Sequence, residues 1–196
     1  MKNETSHGIF ETAKNGVIET VRGTGDVAKA VIETVASTLT TGIRSTGHVG
    51  MAGAQTISGV VGGVIHGVTE VGSDLGAASK GIIIGTLRGT RQTGTELLDT
   101  IAETSGSVIR TTAEVGGDVG KAARGLVEGS IQASREIGVS AEKAASAAAN
   151  GALDAASEVG TTAIKSVRDA LSGTISGVKV VLSEPFKAKK TRAARA

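Results

Sequence analysis

Apolar and polar positions along the chain recur with a period of 22 residues. The triplet Glu114-Val115-Gly116 returns as Glu136-Ile137-Gly138 and Glu158-Val159-Gly160. Counting backwards by the same interval gives Gln92-Thr93-Gly94, Glu70-Val71-Gly72, His48-Val49-Gly50, Asp26-Val27-Ala28 and Glu4-Thr5-Ser6. Eight units thus fit residues 4–179 without an insertion or deletion. A second apolar column reads Val21, Ile43, Ile65, Leu87, Ile109, Ile131, Leu153 and Ile175, and the next column carries Arg22, Arg44, His66, Arg88 and Arg110. One local departure exists: Val17-Ile-Glu-Thr-Val21 matches Val31-Ile-Glu-Thr-Val35 at an offset of 14.

Twenty-two residues are two elevens, and eleven residues fill three helical turns at about 3.67 residues per turn. That count lies close to the natural α-helical repeat, so one face stays in line over many turns. The pattern therefore predicts an all-α chain: one continuous helix over residues 8–182, roughly 260 Å long. A short N-terminal arm (1–7) precedes it and a basic tail (183–196) follows, with Pro185 marking the stop. The competing expectation is a set of shorter helices with turns at Gly62-Gly63 or Gly116-Gly117.

On such a helix the apolar half is much wider than the seam of a two-stranded coiled coil. It carries two ridges. One is Val27, Val49, Val71, Val115, Ile137 and Val159; the other is the column from Val21 to Ile175. Between them runs a strip of small and hydroxyl-bearing residues, among them Thr24, Thr46, Thr90, Thr112, Ser134, Ala123 and Ala145. Glycines at four-residue spacing form a further stripe: Gly59, Gly63 and Gly67, then Gly81, Gly85 and Gly89, then Gly125 and Gly129. Each interior glycine costs about 1 kcal/mol of helix propensity relative to Ala, so close approach of a second helix must offset the loss. Ridge and groove on opposite sides imply head-to-tail packing of helices into a barrel, tube or filament.

Composition supports a core outside the usual kind. Gly is 29 of 196 residues, Trp, Tyr and Cys are absent, and the two aromatics are Phe10 and Phe186. This argues against a conventional globular enzyme, whose core draws on aromatic area. Hydrophobic content of 39% argues against disorder, and Gly lacks the every-third-residue period of collagen. The formal net charge is +2, but residues 184–196 hold one acid against five bases, so the pI of about 9.0 describes a tail. The N-terminus has no apolar run of signal-peptide length, which leaves a cytoplasmic or membrane-associated location as the expectation. Residues 45–69 contain no Asp, Glu, Lys or Arg, yet Gln55, His48, His66 and many Gly and Ser dilute their hydropathy.

No sequence motif points to catalysis, a cofactor or a metal. Gly23-Thr-Gly25-Asp-Val-Ala28 has the spacing of a dinucleotide turn without a preceding strand. Gly116-Gly-Asp-Val-Gly120-Lys121 is one residue short of a phosphate-binding loop and lacks its Ser or Thr. His48 and His66 stand 18 residues apart, about five turns, too far to share one ion within a chain. The Lys187–Arg195 tail could touch phosphates, but no aromatic accompanies it to stack on bases. Charged pairs at i, i+4 (Arg22 with Asp26, Arg110 with Glu114, Asp154 with Glu158) read as surface features, the first two attractive and the third repulsive. The column Glu11, Glu33, Gln55, Ala77, Asp99, Lys121, Lys143 and Lys165 drifts from acidic to basic.

Locally, Gly63-Val-Ile-His-Gly67-Val68-Thr-Glu-Val71 resembles the eleven-residue lipid-binding repeats of synucleins, although their recurring Lys-Thr-Lys-Glu core is missing. The uninterrupted glycine-rich 22-residue repeat with its basic tail is more similar to prokaryotic hendecad coiled-coil proteins. That resemblance implies a multi-helix assembly. The leading expectation is therefore a non-enzymatic structural protein whose partner is itself, with no small-molecule substrate and no specific nucleic acid. Its runner-up is an amphipathic peripheral membrane protein coating or inserting into lipid through the wide apolar face, with residues 45–69 the stretch that would insert more deeply, and a protective chain that folds only when dried or bound is third.

Overall fold

A computed structural model describes residues 2–46, 51–91, 96–180 and 182. Among the described residues there are eight α-helices: α1 (Lys2–Thr24), α2 (Val27–Thr46), α3 (Met51–Glu70), α4 (Leu75–Arg91), α5 (Leu97–Glu114), α6 (Val119–Ile137), α7 (Ala141–Val159) and α8 (Thr161–Leu171). A two-stranded antiparallel hairpin follows, β1 (Thr174–Ile175) with β2 (Val178–Lys179). The all-α expectation holds, but the single helix over 8–182 does not. The repeat is instead divided among these eight helices.

The reason lies in the Val-Gly column. Gly72, Gly116 and Gly138 adopt φ of +68°, +71° and +75°, a left-handed conformation that costs a residue with a Cβ about 1–2 kcal/mol. At Gly116 the helix end is closed by two backbone bonds, Gly116 N–H to Ala113 O (3.0 Å) and Gly117 N–H to Thr112 O (2.8 Å). Gly72 and Ser73 repeat them onto Thr69 O and Val68 O. This is the Schellman closure of a helix C-terminus. Two residues past each glycine the next helix is capped: Asp74 Oδ1 accepts from Ala77 N–H (2.6 Å), Asp118 Oδ1 from Lys121 N–H (3.0 Å) and Ser140 Oγ from Lys143 N–H (3.1 Å). Turns of the same length in one column of the repeat, at Gly72, Gly116 and Gly138, leave the 22-residue phase intact. Gly116-Gly117 is accordingly a turn, whereas Gly62-Gly63 lies inside α3.

The first turn itself departs from this column. The position 44 residues before Gly72 is Ala28, but the turning residue is Gly25, φ +68°, with Asp26 as the cap. The opening helices are thus slipped by about one turn relative to the later ones.

Helices pack most extensively with those two places away in sequence. The odd-numbered helices form one layer and the even-numbered the other. Within a layer neighbours are parallel: Gly63 and Gly67 of α3 face Phe10 O and Lys14 O of α1, and Gly81, Gly85 and Gly89 of α4 face Ala28, Ile32 and Ala36 O of α2. Between layers they are antiparallel, since Gly16 of α1 meets Thr34 of α2 while Gly42 of α2 meets Ile9 of α1. The result is a stack of helical hairpins, the architecture of an α-solenoid. One continuous core runs through it.

The stack ends differently from the sequence expectation. Helix α8 stops at Leu171, not 182, and the chain turns through Gly173 (φ +99°) into the hairpin. Ser176 and Gly177 both have positive φ, the two-residue connection that matches strand twist. The hairpin packs against α6 and α7, with Ile175 and Val180 buried. No helix among the described residues is long and apolar enough to cross a membrane.

Candidate interaction surface

The column from Val21 to Ile175 is the inner face of the stack. All eight of its members are buried, from fully enclosed Ile65, Leu87 and Ile109 to Val21 at 8% exposure. Seven lie on helices and Ile175 on β1. The other predicted ridge is not a helix face. Val71 and Val115 sit in turns, Ile137 and Val159 end α6 and α7, and Val27 opens α2. Val27, Val71, Val115 and Ile137 are half-buried plugs against the core, Val159 is 45% exposed, and Val49 lies outside the described residues. Of the small strip between the ridges, Thr90, Thr112, Ser134, Ala123 and Ala145 are buried in the core, and the side chains of Thr24 and Thr46 lie outside the described residues. Thr90 and Ser134 donate their hydroxyls to Thr86 O (2.8 Å) and Ile131 O (2.7 Å) of their own helices.

The glycine stripes do admit a neighbouring ridge, but within one chain. A Cβ on Gly81 would stand 2.8 Å from Ala28 O and from Val31 Cβ, and one on Gly85 2.9 Å from Ile32 O. Gly125 faces Gly76 O and Gly129 faces Ile83 of α4. Gly59 is half-buried on α3. Spacing alone had not singled out Gly151 of α7, which meets Ala102 O of α5, or Gly120 of α6 against Ser166 O of α8. The grooves expected to join chains are therefore filled by the same chain, which leaves the outer surface for any partner.

That surface is polar. Among the described residues the large exposed apolar side chains are Leu98 and Val159. The first hairpin is polar on its outer side as well. Allowing for the slip, the positions 48 residues before Gly59, Gly63, Gly81 and Gly85 are Glu11, Asn15, Glu33 and Ser37, all exposed. A polar first hairpin is how a solenoid closes its end.

Ion pairs run along each layer. Arg88 of α4 donates from Nε and Nη2 to the Glu136 carboxylate of α6 at 2.9 and 2.8 Å. Arg110 of α5 reaches Glu158 of α7 at 3.2 Å, so its partner is on another helix and not Glu114. Both pairs span 48 residues, joining the arginine column of one unit to the Glu-Val-Gly column two units on. Lys14 of α1 meets Glu70 of α3 at 2.7 Å. The hydrogen bond to Glu70 and then its charge raise the Lys14 pKa, while the same bond and the ammonium charge lower that of Glu70. The Glu136 hydrogen bond likewise raises Arg88.

Separating the units by layer uncovers a charge asymmetry. The described side chains of the even helices comprise eight cations (Lys29, Lys80, Arg88, Lys121, Arg124, Arg135, Lys165, Arg168) and four anions (Glu33, Glu128, Glu136, Asp169). Those of the odd helices comprise four cations (Lys14, Arg22, Arg110, Lys143) and nine anions (Glu11, Glu19, Glu70, Asp99, Glu103, Glu114, Glu142, Asp154, Glu158). With the exposed capping residues Asp26, Asp74 and Asp118 at the starts of α2, α4 and α6, the described even layer is close to balanced, while the odd layer is net acidic. The acidic-to-basic column contributes to both layers and is exposed at every position except half-buried Ala77.

The two glycine motifs weighed as nucleotide loops are interhelical turns, with Asp26 and Asp118 spent as caps. His66 is exposed on α3 and its ring meets Phe10 edge-on at 5.3 Å; His48 lies outside the described residues. No group of three metal-ligating side chains converges among the described residues. No protein-family model matches the chain, and no curated protein matches it.

Proposed function

We propose that the protein is a non-enzymatic structural scaffold that self-assembles into a homo-oligomer or filament through the outer faces of its helical layers. The contrast between an acidic odd layer and an even layer that holds most of the described cations supports this reading. Unequal potentials on two faces of one body favour some orientations of copies over others. Sedimentation velocity across a range of protein concentrations at low ionic strength tests it. The expected outcome is a mass that rises above the 19.4 kDa of one chain with concentration; a monomer at every concentration contradicts it. A lipid surface is the second reading, supported by the exposed cations of the even layer such as Lys29, Lys121 and Arg124, which suit anionic headgroups.

A further inference from the structure

We infer that the basic segment after Leu182 of one copy docks Phe186 in a groove at the first hairpin of the next. The inference rests on the self-assembly reading above and adds an end-to-end contact to it. The groove, about 510 Å³, opens between Gly8, Ile9 and Thr12 of α1 and Ser37, Thr41 and Gly42 of α2, and its lining is mostly apolar. Nothing lies within 4 Å of a Cβ placed on Gly8. The hydroxyls of Thr12 and Ser37 turn back onto their own helices, donating to Gly8 O (2.8 Å) and Thr34 O (3.1 Å). Ser37 and Thr41 stand 48 residues before Gly85 and Gly89, which receive α2 in the stack. The groove thus lies on the side of the first hairpin where later hairpins receive a neighbour. Its volume falls within the range of about 300–1,000 Å³ that suits an apolar group.

Charge and reach choose the occupant. Of the two aromatics, Phe10 packs in the α1–α3 seam against Gly62 and His66, and Phe186 lies in segment 183–196 beside Lys187, Lys189 and Lys190. The described acids beside the groove are Glu11 of α1 and Glu33, one turn before Ser37 on α2, both exposed. With Asn15 they form a polar rim that discourages a further helix from stacking and suits a basic segment. Described cations of this hairpin are placed elsewhere. Lys14 is paired with Glu70 of α3, and Lys29 and Arg22 stand roughly 12 and 15 Å along their helices from Ser37 and Thr12. His7 is exposed one residue before Gly8. The chain's own groove is out of reach. Val180 is buried and Leu182 packs on the core just after the β-hairpin, which contacts α6 and α7. Three helix spacings separate α7 from α1 in the odd layer, about 24–30 Å, whereas the four residues from Leu182 to Phe186 span at most about 14 Å. A groove at one end and its filler at the other make a heterologous contact, which repeats into a ring or filament.

A labelled peptide of residues 183–196 and two full-length variants test this. Phe186→Ser removes the anchor, and Thr41→Arg fills the groove from an exposed position; far-UV circular dichroism checks that both keep wild-type helicity. In fluorescence anisotropy the peptide should bind the wild-type chain, and bind Thr41→Arg at least about tenfold more weakly, the scale of a lost hot spot. In sedimentation velocity each variant alone should self-associate at least about tenfold more weakly than wild type. An equimolar mixture should recover dimers, since one variant keeps the groove and the other keeps Phe186. Undiminished association of Phe186→Ser, or a peptide that does not bind, overturns the inference and leaves self-assembly standing. Association lost in Thr41→Arg but kept in Phe186→Ser assigns the groove to a second first hairpin and equally overturns it. A wild-type chain that stays monomeric at every concentration overturns both.

Discussion

Two seams between parallel helices show what the glycines accomplish. Between α4 and α6, Gly125 and Gly129 leave room for the backbone and Ile83 of the neighbour, and the helices pack along much of their length. Between α3 and α5 the equivalent positions of α5, 44 residues after Gly59, Gly63 and Gly67, are Glu103, Ser107 and Thr111. There the pairing is less extensive, and a hydroxyl contact, Ser107 Oγ to Ser58 Oγ at 3.5 Å, marks it. The even layer is thus zipped from α2 to α6 by glycine, while the odd layer has one seam held apart by side chains. A glycine in a helix interior costs propensity, and it is retained where a backbone carbonyl of the next helix occupies the space of its missing Cβ.

The largest expected effect falls on the tight seam. Gly125→Ala forces a Cβ into Gly76 O and should destabilise by about 1–3 kcal/mol, the usual cost of overpacking, measured by urea denaturation. The turn glycines come next. Gly116→Ala should cost about 1–2 kcal/mol through its positive φ, and Asp118→Ala about 1 kcal/mol through loss of the cap to Lys121 N–H. Gly8→Ala sharpens the contrast by reversing sign: nothing lies within 4 Å of its Cβ position on α1, so helix propensity alone should stabilise by about 0.5–1 kcal/mol. At the loose seam Ser107→Ala should stay within about 0.5 kcal/mol, because its hydroxyl contact is long and its volume barely changes. A large loss there would erase the distinction between the seams.

The smallest effect is pH dependence at the α1–α3 seam. Glu70 is depressed in the folded chain, so its contribution is present above its ordinary pKa and lost as pH falls through the lowered one. Lys14 is raised, so its contribution is present below its ordinary pKa and lost as pH rises through the higher one. Comparing the Tm of Glu70→Gln with wild type should show a small gap at neutral pH that closes at both extremes.

Several of these features were legible in the residues. The 22-residue period, the buried column from Val21 to Ile175 and the glycine stripes all correspond to structural positions. The break into helices was hidden because turns of equal length in one column, as at Gly72, Gly116 and Gly138, preserve the period, so registry cannot separate one rod from a set of hairpin-linked helices. Local chemistry could have separated them. Val71-Gly72-Ser-Asp74 and Val115-Gly116-Gly-Asp118 place a helix-ending glycine two residues before an N-cap. Arg88 with Glu136 and Arg110 with Glu158 were visible only as two columns, since a pairing across 48 residues needs a folded stack. The layer asymmetry was masked by the near-neutral total and emerges once alternate units lie on opposite faces.

Small-angle X-ray scattering tests the central claim most directly: that the repeat folds back on itself as a two-layer stack. In 1 M salt, with facial charges screened, a compact chain of this length should give a radius of gyration near ~16 Å. A continuous helix over residues 8–182, roughly 260 Å long, would give several times that value, and finding it would contradict the stack.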